Sequence, residues 1–193
     1  MQKHPNIKYV AISRNGKEVT KSFFHFINSF TKEFRSMWGG FPPALSNAEA
    51  ALDLQISDSK FYFDYVKGWW AVKDEPNVLL LHFSDLKRDT KSAIVRIAKF
   101  LEISVSDDVL DKIVTQTSHA YMSARPEKYE AKVGYPGQEY THTKEHIRKG
   151  GGKADGGGDF FTEEMNAAWE EAVAQNFGSD KVLLEWATNG GSW

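Results

Sequence analysis

Cysteine is absent from the 193-residue sequence, and its absence narrows the chemistry open to the chain. Without a thiol there is no disulfide, no thiolate zinc site and no cysteine nucleophile. This composition fits a reducing compartment, so we expect a cytoplasmic protein. The sequence also lacks an apolar run long enough to cross a bilayer, and its first residues lack the apolar core of a signal peptide. No membrane partner is therefore expected.

An excess of charge of one sign is missing as well. The 24 Lys and Arg residues nearly balance the 26 Asp and Glu residues, which leaves a formal net charge of -2. Nucleic acids and anionic membranes attract basic proteins, so neither is an expected partner, and any anion site must be local. What is present is an ordinary globular composition, 41% hydrophobic, which predicts a single domain over residues 1–193.

The most informative stretch predicts a buried strand followed at once by a helix. The apolar run from Tyr9 ends at Arg14, and Asn15 suits the cap of the following helix. Ser22 lies seven residues beyond that cap, on about the same helix face. A guanidinium, a hydroxyl and helix-start amides at the carboxyl end of a strand indicate a seat for phosphate or sulfate. The alternative is an ordinary surface arginine and an ordinary helical serine.

Strands and helices alternate further along the chain. Residues 78–83 predict a second buried strand, and Asp89 predicts the cap of an amphipathic helix that runs to Leu101. This order predicts an α/β fold with a parallel sheet flanked by helices. The aromatic loop at 38–41 either lines a substrate pocket or caps the core.

The second half of the chain adds two capped helices and a glycine-rich segment. Thr117 and Ser118 predict the cap of a short helical turn, and Thr162 predicts the cap of a last amphipathic helix. Residues 125–160 are polar and rich in glycine, which predicts a long flexible loop. Within it, the cations of Arg148 and Lys149 stand beside the accessible backbone of Gly150.

Together these stretches resemble the central and C-terminal part of the soluble, cytosolic-type sulfotransferases that use 3′-phosphoadenosine 5′-phosphosulfate (PAPS). The resemblance runs from about Lys8 to Phe177. It is carried by matches in family order at 9–22, 66–70, 77–89, 94–101, 117–122, 148–150 and 161–164. It implies a P-loop-NTPase-like sulfotransferase fold, transfer of a sulfuryl group from PAPS to a hydroxyl or amine of a small acceptor, and no metal.

The resemblance also implies nucleotide-binding roles. Arg14 and Ser22 would hold the 3′-phosphate, and the 125–160 loop would cover the cofactor by bringing Arg148, Lys149 and the Gly150 amide over the same phosphate. The adenine side is expected from Phe83, Thr117, Ser118, His119 and Met122. Phe83 stands where the family commonly has Tyr, and His119 stands where Phe is usual. A phenylalanine ring keeps the stacking surface and loses one hydrogen bond.

Several family features are missing from the sequence. The chain starts after the family's phosphosulfate loop with its lysine and after the segment with the catalytic histidine. We therefore expect a partial domain, incomplete at the N-terminus, with unknown catalytic residues, from a truncated gene, a misassigned start or a split enzyme. Of the family's dimer motif, only Thr162 remains. The alternative function is a catalytically inactive nucleotide-binding or regulatory domain.

A separate motif suggests a remote alternative of another enzyme class. His142, Glu145 and His146 match the H-x-x-E-H spacing in which two histidines bind zinc and a glutamate acts as base. Nearby glycines and a proline disfavour the required helix, and no third ligand is evident. A zinc hydrolase is therefore a remote alternative, and we expect no metal site.

Overall fold

The computed structural model describes residues 4, 6–57, 60–129, 132–135, 138–141 and 160–191. In chain order the elements are β1 (Tyr9–Ser13), α1 (Gly16–Ser29), α2 (Lys32–Met37), α3 (Ala48–Ile56), α4 (Phe61–Trp70), β2 (Val78–His82), α5 (Phe83–Arg88), α6 (Thr90–Leu101), α7 (Asp107–Gln116), α8 (His119–Ser123), β3 (Lys132–Tyr135), β4 (Gln138–Thr141), α9 (Glu163–Phe177) and α10 (Lys181–Asn189). A 3-10 turn at Pro126–Lys128 precedes β3.

The strands β1 and β2 form a parallel pair. Tyr9 stands opposite Val78, and the register continues until Ser13 stands opposite His82. All five residues of β2 are buried, as predicted. The prediction that β1 is a buried strand is wrong for one of its faces, because Val10 and Ile12 are 38% and 46% exposed. The continuous apolar run of β2 therefore forms a covered strand, as such runs do in parallel sheets. The predicted α/β fold with a parallel sheet and flanking helices is confirmed.

A second pair of strands lies inside the segment predicted as a long loop. Strands β3 and β4 are antiparallel, with Lys132 opposite Thr141. The loop prediction is wrong over these strands, because β-branched and aromatic residues at 133, 135 and 140 favour extended backbone despite their polar neighbours. Residues 142–159 lie outside the described part of the chain. The cofactor-covering role of 125–160 stays a prediction.

The predicted helix starts are confirmed by their capping hydrogen bonds. Asn15 Oδ1 accepts from the backbone N–H of Lys17 at 3.0 Å and of Glu18 at 3.3 Å, which caps α1. Asp89 and Thr162 cap α6 and α9 in the same way, each accepting from a backbone N–H three residues further on. A side-chain acceptor at this position satisfies amides that have no partner inside the helix.

One hydrophobic core joins both strands to the helices α3, α4, α9 and α10. Its buried members include Ala11, Leu52, Tyr62, Phe63, Val66, Leu80, Met165, Trp169, Ala172, Val173, Phe177, Leu183, Trp186 and Ala187. The helix α10 corrects the prediction that the helix capped by Thr162 is the last one. Leu183 and Trp186 bury this nine-residue helix. Packing therefore stabilises a helix too short to be stable alone.

Candidate functional site

The carboxyl ends of β1 and β2 bring two predicted site residues together. Arg14 directly follows β1, and Phe83 directly follows β2. The guanidinium carbon of Arg14 lies 4.7 Å from the centroid of the Phe83 ring, and Lys87 Nζ lies 5.7 Å from the same centroid. Cations over an aromatic face are attracted by its quadrupole. The ring therefore holds the guanidinium at the edge of the sheet where ligands of open α/β folds collect.

Arg14 also forms an ion pair with a carboxylate on the first turn of α1. Its Nε donates to Glu18 Oε2 at 2.7 Å, and the Arg14 side chain is 28% exposed. This pair uses one of the three guanidinium nitrogens, and the other two can still donate to an anion. Because the Glu18 side chain is 56% exposed, a phosphate could replace it at modest cost.

The helix-start amides, expected as further donors to an anion, already have acceptors. Asn15 Oδ1 accepts hydrogen bonds from the backbone N–H groups of Lys17 and Glu18. The Gly16 backbone is also occupied, because it hydrogen-bonds the Tyr62 hydroxyl. Burial raises the pKa of that hydroxyl, and the hydrogen bond with Gly16 lowers it by a smaller amount. An anion at this site therefore depends on side chains, which corrects the expectation that the start of α1 contributes its amides.

Gly16 allows α1 to begin in close contact with two buried rings. A Cβ atom at this position would lie 2.2 Å from Trp169 Cη2 and 2.7 Å from Tyr62 Cε1. The next residue, Lys17, donates from Nζ to Asn166 Oδ1 at 2.8 Å and to Glu170 Oε1 at 3.0 Å. The backbone that carries Arg14 is thus fixed to α9 on its C-terminal side.

The last turn of α10 lies against the same end of the sheet. Asn15 Nδ2 donates to the Thr188 carbonyl at 3.2 Å, and the Tyr62 hydroxyl donates to the Ala187 carbonyl at 3.2 Å. These contacts were not expected from the sequence. The signal that could have predicted the helix is Asp180, whose side chain caps α10, followed by the apolar residues at 182–184, 186 and 187.

His82, the last residue of β2, is 1% exposed and lies beside α10 as a neutral imidazole. Its Nδ1 accepts from the Ser84 N–H at 3.3 Å, so the proton sits on Nε2, 3.3 Å from the Ala187 carbonyl. Burial lowers the pKa of His82, against the opposing effects of that carbonyl and of Asp85 and Glu18. Beyond α10, the Gly191 N–H donates to Asp85 Oδ2 at 2.8 Å.

A cavity of about 520 Å³ opens beside Arg14. Its walls are mostly apolar and include Val19 and Phe23 of α1. Ser13 also lines it, is 3% exposed, and has no hydrogen-bond partner for its Oγ among the described residues. Tyr65 closes one side, where its hydroxyl donates to the carbonyl of a β1 residue at 3.0 Å. A small apolar molecule with one polar group fits this chemistry.

The predicted adenine residues at 117–122 lie on the exposed ends of α7 and α8. Thr117 Oγ1 donates to the Ile113 carbonyl at 2.8 Å, and Ser118 Oγ donates to the Thr115 carbonyl at 2.7 Å. Ser118 also caps α8, as predicted. Each ring nitrogen of His119 lies 3.3 Å from Ser123 Oγ, and Met122 is half-buried. Their grouping with Phe83 in one adenine pocket stays a prediction.

The other expected site residues lie apart from the Arg14–Phe83 contact or outside the described residues. Ser22 is half-buried on α1, and its phosphate role stays a prediction. Trp38 and Phe41 are 63% and 66% exposed, so that loop neither caps the core nor lines the cavity beside Arg14. Arg148, Lys149 and Gly150 lie outside the described residues, as do His142, Glu145 and His146.

The described part of the chain shows neither a metal-binding cluster nor a membrane-spanning helix. There, no group of three or more His, Cys, Asp or Glu residues is placed to hold a metal ion. None of the described helices combines the length and the apolar character needed to cross a membrane.

Solved structures share this arrangement of strands and helices. Mouse sulfotransferase SULT7A1 complexed with PAP matches 94% of this chain and 63% of its own, at 26% identity and a TM-score of 0.63. Retinol dehydratase in complex with androsterone and inactive cofactor PAP matches 89% of this chain and 48% of its own, with a TM-score of 0.61. At 24% identity the second match supports the fold alone. The fold is therefore that of the sulfotransferases.

Sequence comparisons agree with the structural ones. The profile of the family described as "Sulfotransferase domain" matches residues 2–181, so the chain belongs to this family. Sulfotransferase 1B1 of Canis lupus familiaris is 33% identical over 124 residues, which are 63% of this chain and 39% of that protein. The amine sulfotransferase of Oryctolagus cuniculus is 34% identical over 126 residues, 65% of this chain and 40% of that protein. The chain thus spans about two fifths of the curated relatives that it matches.

Proposed function

We propose that this chain binds a 3′-phosphoadenosine nucleotide where β1 and β2 end, and takes part in sulfuryl transfer from PAPS to a hydroxyl or amine of a small acceptor. The observation that carries the proposal is the Arg14 guanidinium 4.7 Å from the Phe83 ring. A guanidinium fork suits a phosphate, and an aromatic face suits an adenine base. Membership in the family supports this choice, as does the PAP in the SULT7A1 complex.

The residues present fit such a nucleotide in part. Arg14 offers donors for a phosphate, and Phe83 offers a stacking surface. Ser22 would add a hydroxyl, and family resemblance adds the 148–150 segment over the same phosphate. Glu18 opposes the anion, because its carboxylate already pairs with Arg14 at 2.7 Å. Nucleotide binding would therefore have to displace Glu18 from the guanidinium.

The acceptor side of the proposal is supported by the cavity beside Arg14. Its volume of about 520 Å³ lies in the range of small-molecule sites. The buried Ser13 residue, whose hydroxyl has no hydrogen-bond partner among the described residues, lies in the wall of this cavity. Transfer also needs a base near the acceptor and positive charge at the bridging oxygen. No described residue is assigned as that base, so the inactive nucleotide-binding domain stays the second candidate.

Calorimetric titration of the purified chain with adenosine 3′,5′-bisphosphate (PAP) tests the nucleotide site. Arg14→Gln should weaken binding at least tenfold, since a hydrogen bond to a charged group contributes about 1.5–3 kcal/mol. Arg96→Gln removes the same charge from the exposed face of α6 and should leave the affinity within about twofold. A folded wild-type chain that does not bind PAP contradicts the proposal.

A transfer assay separates the two candidate functions. The chain is incubated with sulfur-labelled PAPS and either 2-naphthol or an aliphatic amine, and the labelled product is counted. Product that depends on Arg14 supports an enzyme. Binding of PAP without product supports the nucleotide-binding or regulatory domain.

A further inference from the structure

The residues next to Arg14 and Phe83 are held by one C-terminal segment, residues 187–191. Asn15 follows Arg14 in the chain and donates from Nδ2 to the Thr188 carbonyl at 3.2 Å. Asp85, two residues after Phe83, accepts from the Gly191 N–H at 2.8 Å. Both halves of the contact between guanidinium and ring are therefore tied to the same short stretch of chain.

We propose that residues 187–191, here named the C-terminal clasp, position Arg14 and Phe83 for nucleotide binding through Asn15 and Asp85. This inference rests on the proposed function. Each of the two positioning residues bonds in two directions. Asn15 caps α1 with Oδ1 and holds the clasp with Nδ2. Asp85 accepts from Arg88 Nη1 at 2.6 Å with Oδ1 and from Gly191 with Oδ2.

The clasp also sets the electrostatic field beside the anion site. The last carbonyls of a helix carry partial negative charge, and those of α10 lie against the ends of the strands. In the closed clasp each of these carbonyls has a donor: Asn15 for Thr188, the Tyr62 hydroxyl for Ala187, and the Gly190 N–H for Trp186 at 2.8 Å. A displaced clasp would leave the Thr188 and Ala187 carbonyls without these donors near the anion site, and the affinity for an anion there should fall.

The clasp is stiff because its helix is anchored in the core. Trp186 and Ala187 are 3% and 1% exposed. The Trp186 ring lies 5.0 Å from the Trp70 ring and 5.4 Å from the His82 ring, measured between centroids. A change in the clasp is therefore transmitted to the strand ends and is not absorbed by the helix.

Gly190→Ala tests the clasp, and Gly178→Ala is its matched control. The φ angle is +75° at Gly190 and +58° at Gly178, so alanine introduces a similar backbone strain at both positions. At Gly190 the new Cβ would lie 2.7 Å from His82 Nδ1 and 2.9 Å from Asp85 Oδ2, whereas at Gly178 it meets nothing within 4 Å. Only the first substitution should displace the clasp from its partners.

Two measurements on the folded variants keep this proposal separate from the proposed function. Hydrogen exchange without nucleotide should quicken at residues 14–18 and 83–88 in Gly190→Ala and not in Gly178→Ala. The Kd for PAP should rise at least fivefold in Gly190→Ala and stay within twofold in Gly178→Ala. If the wild type does not bind PAP, the proposed function fails, while the exchange result still tests the coupling.

The conservative variant distinguishes positioning from loss of global stability. Asp85→Asn keeps an oxygen acceptor for the Gly191 N–H, so it should restore most of the PAP affinity that Asp85→Ala loses. A Gly190→Ala exchange pattern equal to that of Gly178→Ala would overturn the proposal. So would quickened exchange at the strand ends with unchanged PAP affinity.

Discussion

The two halves of the proposed nucleotide site are built in different ways. Arg14 extends from a paired strand and is held by an ion pair and an aromatic ring. Thr117 and Ser118 lie on exposed helix ends, and their hydroxyls donate to backbone carbonyls of α7. The phosphate half is thus largely formed before a ligand arrives, since a nucleotide has to displace only the exposed Glu18 carboxylate from one guanidinium nitrogen. The hydroxyls of the base half would both have to leave their backbone acceptors. Preformed groups contribute more to affinity because less ordering is left for binding.

The largest effect is expected from a substitution at Gly16, where α1 packs closely against α9 next to Arg14. Gly16→Ala should lower the free energy of unfolding by about 3 kcal/mol, because its Cβ would lie 2.2 Å from a buried Trp169 atom. Gly68→Ala, inside α4 with open space around it, should instead raise stability by about 0.5–1 kcal/mol. Urea unfolding followed by circular dichroism measures both. Equal effects would show that contact with α9 does not constrain the start of α1.

Phe83 belongs to the adenine side but contacts Arg14, so it offers the sharpest test of how the two halves are joined. Phe83→Leu should weaken PAP binding about tenfold, since stacking on an aromatic side chain contributes about 1–3 kcal/mol per base. Phe41→Leu makes the same change on an exposed loop and should leave the affinity unchanged. Phe83→Tyr restores the hydroxyl that the family commonly has at this position, so it should bind PAP more tightly than the wild type. Calorimetry of the three variants would contradict this account if Phe83→Leu equalled Phe41→Leu.

Mildly acidic pH should lower the free energy of unfolding through His82, the buried last residue of β2. Because burial lowers the pKa of His82 below its ordinary value of 6.5, the unfolded chain binds more protons than the folded one at mildly acidic pH. The contribution of His82 to stability should therefore be complete above that value and decline as pH falls below it. A proton on Nδ1 would also remove the acceptor for the Ser84 N–H.

This pH dependence is measured by urea unfolding at a series of pH values from about 7 to about 5. His82→Gln should flatten the curve relative to wild type. His4→Gln, at an exposed position, serves as the control and should leave the slope unchanged. An identical slope in wild type and His82→Gln would assign the effect to other groups.

The smallest expected effect belongs to the base half. Thr117→Val should change PAP affinity by no more than about twofold, as is usual for exposed substitutions. Its hydroxyl already donates to the Ile113 carbonyl, so a bond to adenine would replace an existing one. A loss above tenfold in calorimetry would show that this half is preformed as well, and the contrast between the halves would disappear.

Local patterns were sufficient to predict the part of the site that local interactions build. The capping role of Asn15 depends on residues two and three positions away, and the apolar run at 78–82 needs only its own composition. The pairing of Arg14 with Glu18 also lies within one helical turn, yet it was not predicted. Side-chain pairing on an exposed helix start is worth little energy and leaves no compositional signature.

Features that depend on distant parts of the chain could not be predicted. The second bond of Asn15, to Thr188, joins residues 173 positions apart. The cavity beside Arg14 is lined by residues of β1, α1, α3 and α4, which only the folded chain brings together. The strands β3 and β4 pair in a segment whose polar composition resembles that of a loop. In each case tertiary packing determines which residues meet, and the periodicity of the sequence contains no information about such contacts.

The bond between Asn15 and Thr188 also has a consequence for biosynthesis. Ribosomes add about 5–20 residues per second, so the 173 positions between these residues correspond to about 9–35 seconds of translation. For most of that interval the end of the first strand and the start of its helix lack this last partner, because it has not yet been made. The nascent chain therefore exposes this surface to chaperones before it can close.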